Sequence, residues 1–279
     1  MLYCIKSLFI FREVYFMKLA ITGAKGFVGN KLMQLYPDAQ PLPSFRGLSD
    51  AEIERIIKSS DADVIVHTAA ISDIGTCQAD PEASYLANVL LPVAIAKSCE
   101  GKKLICFSSD QVYSGSPLPG PYTEDMVSPG NLYAEEKLEM EQRVLSLRPD
   151  AVLLRAEWMY DYVSYKGNFF KNILSAEGSI SFSTQQFRGV TYVREVAEAL
   201  PAVVSLPGGA YNFGSETTSS IHAIAQAFAS YVGKDITVED CPPHHNLWMD
   251  CSKASALGVR FSTVLDGLKR CADDYHLHK

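Results

Sequence analysis

Tyr133 and Lys137 stand four residues apart in a stretch, Asn131 to Leu147, that reads as a helix, so both side chains share one face. An ammonium group there can hold a ribose and lower the phenol pKa from about 10, which makes the tyrosine a usable proton donor. The spacing alone does not select this pair, because Tyr162/Lys166 and Tyr275/Lys279 repeat it. Position separates them. Tyr162 lies in an aromatic loop ahead of Gly167, and Tyr275 lies at the chain end. Tyr133 instead follows a buried strand ending in Ser108, Ser109 and Asp110. Those side chains emerge at the carboxyl edge of a sheet, where open α/β folds bind ligands.

A second group concerns phosphate. Thr22-Gly23-Ala24-Lys25-Gly26-Phe27-Val28-Gly29 directly follows a strand and opens a helix. Its three glycines let the backbone turn tightly and approach a pyrophosphate, and the helix start offers free N–H groups and the positive dipole end. The acidic residue that selects NAD, expected about 20 residues further on, is not evident. That region carries Ser44 and Arg46, a hydroxyl and a guanidinium suited to a 2′-phosphate. NADP(H) is therefore the preferred cofactor, with NAD(H) the alternative.

The elements that position these groups follow a βαβ rhythm from Met17. Lys18 to Thr22, Asp63 to His67, Lys103 to Phe107 and Ala151 to Arg155 read as buried strands. Phe27 to Leu35, Asp50 to Lys58, Pro81 to Cys99, Asn131 to Leu147 and Val193 to Val204 read as helices. The expected fold is α/β, a doubly wound parallel Rossmann sheet with a smaller α/β substrate lobe. Residues 17–155 plus about 189–214 would form the dinucleotide domain, about 156–188 and 215–279 the lobe, and 1–16 an upstream extension.

Composition excludes several functions. A net charge of -7 and no basic stripe argue against nucleic acid. The first apolar run, Leu8 to Phe11, is too short to span a bilayer. Seven scattered cysteines without a C-x-x-C pair suggest reduced thiols rather than disulfides or zinc, in a cytoplasmic protein. Adjacent His244 and His245 lack a completing ligand set, so no metal is expected. His67 reads as a core histidine, Asp110 as a group that polarises Ser109 or caps a turn, and Glu135, Glu136, Glu139 and Glu141 as a solvated helix face.

The ordered set TGAKGFVG, VIVHTAA, Asn88, FSSDQVYSG and Tyr133-x-x-x-Lys137 resembles the extended short-chain dehydrogenase/reductase family. LRAEWMYD, GNFFKNIL, TYVREVAEAL and MDCSKASALG bring it nearest the dTDP-4-dehydrorhamnose reductase branch, from about Met17 to Leu268. The resemblance implies an NAD(P)-dependent oxidoreductase that reduces a keto group on a nucleotide-activated sugar, with a homodimer as a further expectation. It implies that Ser109 bonds the substrate oxygen, Tyr133 moves the proton, Lys137 orients ribose, Asn88 supports a relay water and Trp158 lines the sugar pocket with Asp110. Thr22, Gly23, Gly26, Phe27, Val28, Gly29, Ala69 and Ala70 would line the cofactor site with Ser44, Arg46 and Lys137. The chain departs from the branch at Gln111, at Tyr113-Ser114-Gly115 and at Pro243-His244, where an Arg-Pro pair would help hold a nucleotide diphosphate. The alternatives are an epimerase or dehydratase of the same family, and a non-catalytic NADP-binding subunit like the beta subunit of methionine adenosyltransferase.

Overall fold

The computed structural model describes residues 17–163, 168–244 and 246–277. The expected extension 1–16, Lys166, Gly167, His245 and Lys279 lie outside the described residues. The chain opens with β1 (Leu19–Thr22), α1 (Phe27–Leu35), a short β2 (Gln40–Pro41), α2 (Asp50–Ser59) and β3 (Val64–His67). Ser49 starts α2 through a reciprocal capping box with Glu52.

Next come α3 (Ile74–Ala79), α4 (Pro81–Tyr85), a π-turn (Leu86–Leu90), α5 (Leu91–Ser98), β4 (Lys103–Ser109) and a 3₁₀ turn (Asp110–Tyr113). The long helix expected over Pro81 to Cys99 is thus split. Pro92 has no N–H to give the carbonyl of Asn88, so the ladder widens in the turn before it. After α6 (Leu132–Leu147) and β5 (Val152–Ala156) follow β6 (Trp158–Tyr160), α7 (Phe169–Ser175), β7 (Ser179–Ser181), β8 (Val190–Tyr192), α8 (Val193–Glu198) and α9 (Leu200–Val204). The helix expected over Val193 to Val204 breaks at Ala199, where Pro201 enters the first turn of α9. The chain closes with β9 (Gly209–Phe213), α10 (Ile221–Tyr231), β10 (Thr237–Glu239), α11 (Ser252–Ala256) and α12 (Val264–Asp274).

β2, β1, β3, β4, β5 and β9 form one parallel sheet in that order. The chain passes from β1 to β2 on one side and returns to β3 on the other, so the crevice above β1 and β3 is a topological switch point. Alternate residues pack on opposite faces: Leu19, Ile21, Val64 and Val66 join one core, Ala20, Ile65, Leu104 and Leu153 the other. A third, aromatic core holds Tyr160, Phe170, Tyr192 and Phe228 with α10 and α12. The buried pair Lys31–Asp161, at 2.7 Å, ties the segment after β6 to α1.

One expectation about α6 is overturned. Glu136 and Glu141 are buried rather than solvated, because α6 packs against the sheet on one side and the α4–α5 region on the other. Each acid is matched by partners from distant segments. Glu136 accepts bonds from Ser84 Oγ at 2.6 Å and Asn88 Nδ2 at 2.9 Å. Glu141 pairs with the buried Arg155 at 2.7 Å and accepts from Ser108 Oγ at 2.5 Å. Among the described residues no helix is long and apolar enough to cross a membrane.

Candidate active site

Above the carboxyl ends of β1, β3, β4 and β5 lies a cleft of about 680 Å³. One wall is the turn between β1 and α1. Gly23 adopts φ +68° and its carbonyl accepts from Gly26 N at 2.7 Å, which folds the chain back onto itself. A Cβ on Gly29 would stand 2.2 Å from the Gly23 carbonyl oxygen, so only glycine lets α1 start this close to β1. Gly26 caps α1 without any side-chain bond, and Gly23, Gly26, Phe27 and Val28 border the cleft. Uncapped N–H groups beside a notch free of Cβ atoms suit a pyrophosphate. Gly29 sits beneath this wall, and Thr22 is buried behind it, with its hydroxyl 2.7 Å from His67 Nδ1. Burial and the nearby Lys137 push His67 down to about 3, which keeps the ring neutral as a core group.

Ala69 and Ala70 continue the wall from the end of β3. Ser109, Asp110, Tyr133, Lys137 and Trp158 line the same cleft. Ser109 is the last residue of β4, where its Oγ accepts from Gln111 N at 3.2 Å and donates to Asp110 Oδ1 at 3.2 Å. Tyr133 and Lys137 enter from the first turns of α6, whose N-cap Asn131 accepts from Ala134 N at 3.0 Å. Lys137 Nζ donates to the Phe107 carbonyl at 3.0 Å and lies 5.7 Å from the centre of the Tyr133 ring.

The electrostatics differ from the expectation for the tyrosine. Burial pushes the Tyr133 phenol above its ordinary value, against the pull of the Ser109 hydroxyl, so Lys137 does not bring it toward neutrality. The phenol therefore holds its proton and can donate it. Burial also pulls the Lys137 ammonium down to about 8, against the opposing charge of Glu141 and Glu136.

Two groups stand elsewhere. Asn88 is fully buried and does not border the cleft, and its amide is spent on its neighbours. Oδ1 accepts from Ile71 N at 3.0 Å, while Nδ2 donates to Ile71 O at 2.9 Å and Glu136 at 2.9 Å. Asn88 thus clamps the segment after Ala70. Ser44 and Arg46 are exposed after β2 and lie outside the cleft wall, with Arg46 N donating to Ser44 Oγ at 3.3 Å. Pro243 and His244 are likewise exposed and away from the cleft.

Residues 17–246 match the family described as the RmlD substrate binding domain. The chain belongs to that family, within the extended short-chain dehydrogenase/reductases. It is 30% identical over 204 residues to the dTDP-4-dehydrorhamnose reductase of Mycobacterium tuberculosis, a match covering 67% of this chain and 65% of that protein. It is 29% identical over 275 residues to methionine adenosyltransferase 2 subunit beta of Xenopus tropicalis, covering 86% of this chain and 82% of that protein. Its fold matches the dTDP-4-dehydrorhamnose reductase of Bacillus anthracis, solved in complex with NADP, with TM-score 0.79, 20% identity and coverage of 92% and 99%.

Glu157 and Arg188 also border the cleft and went unnoticed in the sequence. Arg188 donates to Asp110 Oδ2 at 2.9 Å and stacks 5.2 Å from the centre of the Trp158 ring, so Asp110 anchors an arginine as well as Ser109. The available signal for Glu157 was an acid one residue past the buried strand β5, between Ala156 and Trp158.

Proposed function

We propose that the protein reduces a keto group on a nucleotide-activated sugar with NADP(H). The observation that carries this reading is the convergence of Ser109, Tyr133 and Lys137 on one cleft whose opposite wall is an uncapped, glycine-notched helix start. The Gly23, Gly26, Phe27 and Val28 turn would hold the cofactor's pyrophosphate, Lys137 its nicotinamide ribose, and Ser44 with Arg46 a 2′-phosphate. When bound, the dinucleotide supplies hydride to the carbonyl carbon. Ser109 hydrogen-bonds the carbonyl oxygen and keeps it within reach of Tyr133. The Tyr133 phenol, protonated because it is buried, delivers the proton as the oxygen gains charge. Trp158, backed by Arg188, offers a flat face for the sugar ring. The relatives named as dTDP-4-dehydrorhamnose reductases support a dTDP sugar, and a cytoplasmic homodimer completes the reading.

The test is NADPH oxidation by the purified protein against a panel of 4-keto nucleotide sugars. Turnover on a panel member supports the reading. NADPH binding without any turnover favours a cofactor-binding subunit, a role consistent with the long match to methionine adenosyltransferase 2 subunit beta. The pH profile is a second test. Lys137 holds the ribose best while charged, so kcat/KM for NADPH is expected to be level below pH 8 and to fall as pH rises through about 8. A kcat/KM for NADPH level to pH 10 would remove Lys137 from this role.

A further inference from the structure

Glu157 is an acid buried in the wall of the catalytic cleft at 4% exposure, and the proposed reaction does not use it. The fold has made room for it from two sides. A Cβ on Gly189 would lie 1.7 Å from Glu157 Oε2, and one on Gly214 would lie 2.3 Å from its Cδ. The carboxyl group is therefore held between two backbone strips, ahead of β8 and after β9, and cannot swing away.

Its two oxygens have different surroundings. Ser215 N donates to Oε1 at 2.7 Å and to Thr191 Oγ1 at 2.8 Å. Since Thr191 Oγ1 accepts there, its own hydroxyl proton points to Glu157 Oε1, a second bond to the same oxygen. Oε1 thus receives two donors and Oε2 receives none among the described residues. A proton on this acid has its place on Oε2.

We propose that Glu157 is a specificity-determining residue that presents Oε2 as a neutral hydrogen-bond donor to an oxygen of the bound keto sugar. The inference rests on the reductase reading of the same cleft. Burial favours the neutral form, pushing the carboxyl up to about 8. The charged and titratable groups around it are Asp110 at the end of β4, which opposes ionisation, and Arg188, which favours it. Tyr160 of β6 and Cys251 ahead of α11 also face it, and burial keeps both of these protonated. A donor buried in the cleft wall selects for substrates with an oxygen acceptor there, because the polar group would otherwise be left unmet when the sugar covers it.

The experiment compares wild type, Glu157→Gln and Glu157→Leu, with dTDP-4-dehydrorhamnose as the probe and NADPH saturating. Glu157→Leu is expected to raise KM about tenfold, equivalent to about 1.4 kcal/mol, and Glu157→Gln, whose amide N–H replaces the donor, to recover most of that loss. Infrared difference spectra of wild type against Glu157→Gln should show a carboxylic-acid carbonyl band at pH 7 that fades above pH 8 and shifts when the sugar binds. This readout needs neither turnover nor the leucine variant. An absent acid band, an unchanged KM in a folded Glu157→Leu, or a Gln variant as impaired as Leu would each overturn the inference while leaving the reductase reading standing. Protein that binds NADPH but neither binds nor reduces the sugar would overturn both together.

Discussion

Tyr133→Phe is expected to lower kcat by about 10²–10⁴-fold, the usual contribution of a positioned proton donor, with NADPH affinity unchanged. The side chain lies against Ser109 at the cleft wall, and the substitution removes one oxygen without altering the ring that Lys137 faces. Burial holds that oxygen in its protonated form, so the lost group is a donor and no other described phenol borders the cleft to replace it. Stopped-flow measurement of NADPH oxidation, paired with a fluorescence titration of NADPH, checks both halves. Retained turnover would place the proton source elsewhere.

Glu141→Ala is expected to destabilise the fold by about 3–5 kcal/mol, the cost of stranding a buried charge. Arg155 is 4% exposed, and its guanidinium gives Nε and Nη2 to Glu141 and Nη1 to the Tyr113 hydroxyl and the Glu124 carbonyl. Alanine at 141 leaves that cation with neutral acceptors alone. The double change Glu141→Leu/Arg155→Met removes the stranded charge and should recover much of the loss. Urea unfolding of the three proteins decides it: a double variant no more stable than Glu141→Ala would show that packing, not the unpaired charge, carries the cost. The pair also holds Ser108 beneath Ser109, so Glu141→Ala should reduce turnover beyond its effect on the folded fraction.

Much of the molecule was legible in its residues because the signals were local. Short continuous apolar runs marked the strands, and the structure buries both faces of each as that pattern requires. The glycines after β1 marked a tight turn, and the positive φ of Gly23 and the crowding at Gly29 are its reason. Tyr133 was separated from two other tyrosines by its place after a strand, and the structure brings it beside Ser109 and Lys137.

What local pattern could not reveal is which polar groups meet across the fold. Four glutamates spaced along α6 resemble a wet face, yet Glu136 meets Ser84 and Asn88 from 52 and 48 residues away. Asn88 is named by the family pattern, but only packing shows that its amide is consumed by Ile71 and Glu136. Glu157 is set by Gly189, Thr191 and Gly214, residues from other segments that carry no mark of an acid between them. The strands, the glycine turn after β1 and the placing of Tyr133 beside Lys137 on α6 are each encoded by neighbours along the chain. The partners of the buried acids come from the tertiary fold, because desolvation and charge pairing depend on groups that it brings in from afar.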